Sequence, residues 1–169
     1  MKCSNAAKFV ILPIGLGILA LGLASTPAYA TTQTTTFVVS ATVQGSCTIS
    51  ATNLSFGAYT GVLITGQSTV TVNCTGGTTY NVGLSAGLAT GATVTTRKMT
   101  GQYLAGTLPY AMYKDSAHTQ NWGITIGTDT EAGTGTGVAQ PLTVYGQIAA
   151  GTAPAADGYF DTITATVTY

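Results

Sequence analysis

A chain of 169 residues with five Lys and Arg against five Asp and Glu carries no formal net charge at pH 7, and only 6% of its side chains are charged. It offers no basic surface to a phosphate backbone or to anionic lipid, which argues against nucleic acid as a partner. Its length suits one domain with a true hydrophobic core, since chains of this size bury about two-thirds of the surface they expose when unfolded.

The first element is a secretion signal. Lys2 and Lys8 precede an apolar run from Phe9 to Leu23, and Ala28-Tyr29-Ala30 supplies the small-x-small pattern that signal peptidase cleaves. The run is shorter than the roughly 20 apolar residues that span a bilayer, and Pro13, Gly15 and Gly17 interrupt it. Residues 1–30 are therefore expected to be removed after Ala30, taking Cys3 with them. In the 139 residues left, the three cations Arg97, Lys98 and Lys114 face the five carboxylates Asp115, Asp129, Glu131, Asp157 and Asp161, for a net charge of −2.

Next comes a charge-free, Thr-rich extension over residues 31–45, in which Phe37, Val39, Ala41 and Val43 fall at every other position. Alternation of this kind reads as a strand. A strand at the leading end of an exported chain can pair with a neighbouring molecule. The Thr, Ser, Gly and Asn surface that follows lacks the like-charge repulsion that usually keeps β-edges apart. The alternative is an ordinary first strand of the chain's own domain.

The domain itself is read over residues 46–169. Cys47 and Cys74 are the two cysteines left after cleavage, an even pair in a compartment that permits oxidation, and one disulfide is the economical assignment. Zinc would need more ligands than this pair and the single His118 supply. Val70, Val72 and Cys74 alternate with Thr69, Thr71 and Asn73, so Cys74 faces the core and the bridge pins the first domain strand beside another. Further alternating runs are Tyr80-Val82-Leu84, Leu108-Tyr110-Met112, Leu142-Val144-Ile148 and Ile163-Ala165-Val167-Tyr169. Pro109 cannot donate to a ladder, so its strand is expected to begin there or to run at an edge. Residues 75–78, 87–91, 128–137 and 149–158 read as turns. Short antiparallel strands with one Thr face and one apolar face make an all-β sandwich the natural architecture, with a closed barrel as competitor.

Chemistry is hard to find. Ser116, His118 and Asp115 share one polar loop, whereas triad partners converge from separate parts of a fold. Asp129 and Glu131 flank a Thr in a Gly/Thr loop with no apolar pocket to split their pKa values, and no EF-hand spacing surrounds them. Gly133 to Gly137 lacks the lysine and the helix of a phosphate loop. The aromatic-glycine pairs Trp122-Gly123 and Tyr145-Gly146 are expected to pack in the core or on the sheet, each ring over a glycine, rather than to bind sugar. No catalytic residue, metal site, cofactor or small-molecule substrate is assigned.

Several local patterns, taken in order, carry a resemblance. They are Cys47-Thr48-Ile49, Leu54-Ser55-Phe56-Gly57-Ala58-Tyr59, Val70-Thr71-Val72-Asn73-Cys74, Tyr80-Asn81-Val82-Gly83-Leu84, Leu108-Pro109-Tyr110-Ala111-Met112-Tyr113-Lys114-Asp115, Trp122-Gly123, the run from Leu142 to Ile148, and Gly158-Tyr159-Phe160-Asp161-Thr162-Ile163. The chain resembles the spore coat protein U domain family, which includes subunits of archaic chaperone-usher pili of the Csu type.

That resemblance implies an immunoglobulin-like sandwich lacking its final strand. A periplasmic chaperone would fill the open groove first. At an outer-membrane usher, the N-terminal strand of the next subunit would then replace the chaperone's strand, a form of β-augmentation. On this reading Phe37, Val39, Ala41 and Val43 are the donor side chains, and Ile163, Ala165, Val167 and Tyr169 form a groove wall and chaperone contact. The protein would pass through the periplasm to the cell surface and polymerise, with itself or with homologous subunits, into a fimbria used for adhesion and biofilm formation. One domain plus a donor segment fits a shaft subunit better than a tip adhesin. The alternative is a self-complemented secreted coat protein that packs its own first strand.

Overall fold

The computed structural model describes residues 28–169. The charged and apolar parts of the expected signal peptide lie outside the described residues, while Ala28, Tyr29 and Ala30 are described and exposed. The chain divides into two units, one ending at Ser40 and one running from Ala41 to Tyr169. The described part of the first contains no helix or strand, and its Phe37, Val38 and Val39 are exposed.

The second unit is all-β among the described residues. Its strands are β1 (Cys47–Ala51), β2 (Ile64–Cys74), β3 (Thr79–Leu84), β4 (Arg97–Gly101), β5 (Thr107–Tyr113), β6 (Glu131–Thr134), β7 (Gln140–Ile148), β8 (Tyr159–Phe160) and β9 (Ala165–Thr168). They form a six-stranded sheet in the order β1-β2-β7-β5-β4-β8 and a three-stranded sheet in the order β6-β3-β9. Every pairing is antiparallel. The β2–β7 ladder runs from Ile64 opposite Ile148 to Val72 opposite Gln140, and its alternation turns Val70, Val72, Val144 and Ile148 inward. From the facing sheet Tyr80, Val82 and Leu84 close the core, with Leu108, Met112 and Trp122 between. This is the sandwich the alternation predicts.

Cys47 and Cys74 sit directly opposite one another on β1 and β2, bonded with a Cα–Cα distance of 4.1 Å. Cys74 is buried on the face that its strand alternation assigns to it. The staple therefore fixes the first domain strand to its neighbour.

Three sequence expectations need correction. Pro109 lies inside β5, an interior strand, but its half of β5 pairs with β4 alone and the ladder to β7 starts at Ala111, so no β7 bond is lost at the proline. Residues 128–137 are not all turn, because Glu131–Thr134 pairs with β3, where the absent side chain of Gly133 makes room for the ring of Tyr80 opposite it. The last alternating run, Ile163 to Tyr169, is a strand only over Ala165–Thr168. Tyr159 and Phe160 pair with β4, the chain then crosses between the sheets, and β9 pairs with β3 from Ala165 onward.

The crossing decides the shape of one side of the molecule. Among the described residues β9 has a hydrogen-bonded strand neighbour on one side only, and β1, at the edge of the other sheet, lies against it without a ladder. The sheets therefore do not close into a barrel.

Candidate functional site: an open groove between the sheets

Beside β9 the two sheets part to leave a groove of about 1240 Å³. Its floor is apolar core: Leu84, Leu108, Met112, Val144 and Ile148. One rim is residues 51–61; the other is residues 152–161 with Ile163 and Ala165. The first rim is seated by an absence of side chains. Gly66 and Gly146 face each other on β2 and β7, and a Cβ on Gly146 would stand 2.7 Å from a methyl of Leu54 and 2.9 Å from the ring of Phe56. Phe56 in turn meets Tyr110 edge-on at 6.2 Å, and the Tyr59 hydroxyl donates to the Ala149 carbonyl at 2.7 Å.

The second rim is held by polar groups that composition did not single out. Asp161 lies at the crossing between β8 and β9; one carboxylate oxygen accepts the Tyr110 hydroxyl at 2.6 Å, the other the amides of Leu88 and Thr162 at 2.8 Å each. Burial first, and then this bond to Asp161, pushes the Tyr110 phenol well above the usual tyrosine range. Arg97 on β4 is fully buried and donates to four main-chain carbonyls, those of Ser85, Val94, Leu84 and Trp122, at 2.6–2.8 Å. Desolvation lowers its pKa, opposed by the nearby Tyr110, Asp129 and Asp161. The legible sign was that Arg97 shares a strand face with Met99, an odd place for one of so few cations.

The predicted wall residues divide. Ile163 and Ala165 line the groove. Val167 is half-buried on the same face of β9 against the core, and Tyr169, just past the strand, is 60% exposed. Of the predicted donor residues, Phe37 and Val39 are exposed in the unit that ends at Ser40, while Ala41 and Val43 are exposed in the unit that follows. No residue from 28 to 46 belongs to a strand.

The residues weighed for chemistry serve turns and packing. The Asp115 carboxylate accepts the Gln120 amide, which does most to lower its pKa, and also the hydroxyl and amide of Thr119, while the His118 imidazole stacks edge-on against Tyr113 and Tyr145. Asp129 accepts the Thr125 amide at 2.6 Å, and Glu131 lies 3.9 Å from the Lys114 ammonium. Among the described residues no three His, Cys, Asp or Glu side chains gather closely enough to hold a metal ion. Trp122 is core, its indole donating to the Val82 carbonyl at 2.8 Å. Tyr145 lies outside the core cluster, against His118. The glycines after them are filled by other groups than expected, Gly123 by the Asp129 carboxylate and Gly146 by Leu54 and Phe56.

The family model of the Spore Coat Protein U domain matches residues 33–166. The chain belongs to the spore coat protein U domain family. Protein U of Myxococcus xanthus is similar to it, 32% identical over 163 residues that cover 87% of this chain and 90% of that protein. Among solved structures, a chain of the CsuC–CsuE chaperone–tip adhesion subunit pre-assembly complex, from the archaic chaperone-usher Csu pili of Acinetobacter baumannii, matches with a TM-score of 0.55 and 26% identity. The match covers 76% of this chain and 40% of that one, so this spore coat protein U domain spans less than half the length of its solved neighbour. The all-β sandwich is thus of the kind found in a pilus subunit complex.

Proposed function

We propose that this chain is a structural subunit of a surface pilus assembled by the chaperone-usher route. Its groove accepts the leading strand of a neighbouring subunit, and its own residues 31–45 are donated in turn. The observation that carries this reading is the groove itself, an apolar trench whose floor is the domain core and whose side is an edge strand with unpaired main chain. Such an edge is what β-strand addition uses: main-chain hydrogen bonds supply affinity, and alternate side chains enter pockets. Phe37, Val39, Ala41 and Val43 are the donated side chains, and each large one that is buried contributes roughly 1.5–3 kcal/mol. Ile163, Ala165, Val167 and Tyr169 form the receiving wall, used first by a periplasmic chaperone and then, at an outer-membrane usher, by the next subunit. The fibre supports attachment and biofilm formation at the cell surface, after export by the signal over residues 1–30. The resemblance in fold to a chaperone-bound pilus subunit supports the chaperone step.

The test is co-expression with a candidate chaperone and usher, read on an unboiled denaturing gel. The full chain should run as a ladder of strand-exchanged polymers. Removal of residues 31–43, with the signal kept, should leave a chaperone-bound domain that donates to no neighbour. A ladder of normal intensity from the shortened chain overturns the reading. So does a stable monomer purified without a chaperone, its own first strand filling the groove.

A further inference from the structure

We propose that Tyr110, Asp161 and Arg97 form a polar clasp that holds β9 away from the six-stranded sheet and so keeps the groove in receptive shape. The inference rests on the acceptor reading above. It concerns what stops an unfilled trench from closing. Ile163 and Ala165 stand on one side of the groove and core residues on its floor, and bringing them together would remove apolar surface from water. Among the described residues β9 is hydrogen-bonded to β3 on one edge, and on the other β1 lies against it without a ladder. Nothing in the β3 ladder resists a swing toward the floor.

The resistance lies just before β9, where two struts join the sheets. In the first, the Tyr110 hydroxyl of the six-stranded sheet reaches the Asp161 carboxylate at the crossing, and Asp161 also fastens the Leu88 and Thr162 amides. In the second, Arg97 of β4 donates to the carbonyls of Leu84 and Ser85 at the end of β3, and Ser85 meets Thr164 twice, amide to carbonyl at 3.0 Å and hydroxyl from the Thr164 amide at 2.9 Å. Thr164 immediately precedes β9. Arg97 and Tyr110 are buried, so a shift that parts them from their acceptors leaves a buried donor unpaired, which is costly. The three residues thus act as positioning residues: they set the wall, and the wall receives the strand.

The experiment uses the full-length chain bound to its chaperone, with a synthetic peptide of residues 31–45 as probe and the peptide-filled species quantified on an unboiled gel. Tyr110→Phe keeps the ring that lines the groove and removes the hydroxyl; Asp161→Ala removes both sets of bonds. Asp161→Asn keeps one oxygen for the two amides and an amide group that can donate to the Tyr110 oxygen, so it is the conservative rescue. Peptide uptake should slow by roughly tenfold or more in Tyr110→Phe and Asp161→Ala and stay near that of the unsubstituted chain in Asp161→Asn. Hydrogen exchange at the Thr164 amide should quicken in the first two only. A merely structural role would instead lower the unfolding midpoint and leave uptake at low temperature unchanged, which overturns the proposal. Should the unsubstituted chain take up no peptide, the acceptor reading fails first and the clasp with it.

Discussion

Arg97 is the residue at which charge, burial and architecture meet. A guanidinium presents its donors in a fixed planar fork, and here the fork fits four carbonyls from three separate segments, two of them at the end of β3. Lysine has one nitrogen where arginine has three, so it cannot reach all four. A lysine ammonium has three N–H donors, so Arg97→Lys is expected to leave at least one of the four carbonyls unpaired and to destabilise the domain by roughly 1–3 kcal/mol. Denaturant unfolding followed by the fluorescence of Trp122, whose own carbonyl is one of the four, measures it directly. A loss under about 0.5 kcal/mol, the size of an ordinary surface substitution, would show that the carbonyls find other partners. At this scale the sequence was least legible. Asp161 and Tyr110 are 51 residues apart, and no local pattern announces that they meet.

Strands with Thr on one face and Val, Leu or Ile on the other were legible because alternation is a local signal. β2, β3, β5 and β7 were read that way, and each buries the face that was read. β4, β6 and β8 were not, for they owe their pairing to neighbours rather than to pattern: Glu131–Thr134 alternates nothing apolar, and Tyr159–Phe160 is only 2 residues long. The crossing between β8 and β9 was hidden for the opposite reason. Ile163, Ala165 and Val167 keep one parity throughout, so the period gives no sign that the chain changes sheets between Phe160 and Ala165. Of the groove, the alternating faces already held the floor residues Leu84, Leu108, Met112, Val144 and Ile148, and Ile163 and Ala165 of the expected wall line it, but the contact of Tyr110 with Asp161 had no local signal. The disulfide was legible, and its consequence can be weighed. It closes a loop of 27 residues between adjacent strands, and the double change Cys47→Ser with Cys74→Ser should cost about 3.5 kcal/mol by the chain-entropy estimate. Chemical denaturation of the double variant checks it. Because β1 borders the second sheet's edge at β9, the amides of Thr48 to Ala51 should also lose hydrogen-exchange protection before those of β2.

At the scale of the whole molecule, a fibre built by strand donation asks each chain to carry a key and a lock of matching parity. Phe37, Val38 and Val39 are 83%, 91% and 84% exposed, so exposure does not say which parity is the key. Size and pattern do. The set Phe37-Val39-Ala41-Val43 is apolar at all four places, whereas Val38 shares its face with Thr36, Ser40 and Thr42. In a strand with one side buried, a charge on the buried side must lose its hydration with no partner to offset it, and a charge on the wet side need not. Val39→Asp should therefore reduce the polymer ladder on an unboiled gel by roughly tenfold or more, while Val38→Asp leaves it nearly intact. Neither change touches the domain from Cys47 onward, so the chaperone-bound subunit should be recovered in equal amounts and with its disulfide formed. Equal loss from the two variants, or loss from Val38→Asp alone, overturns the assignment of the key to Phe37, Val39, Ala41 and Val43.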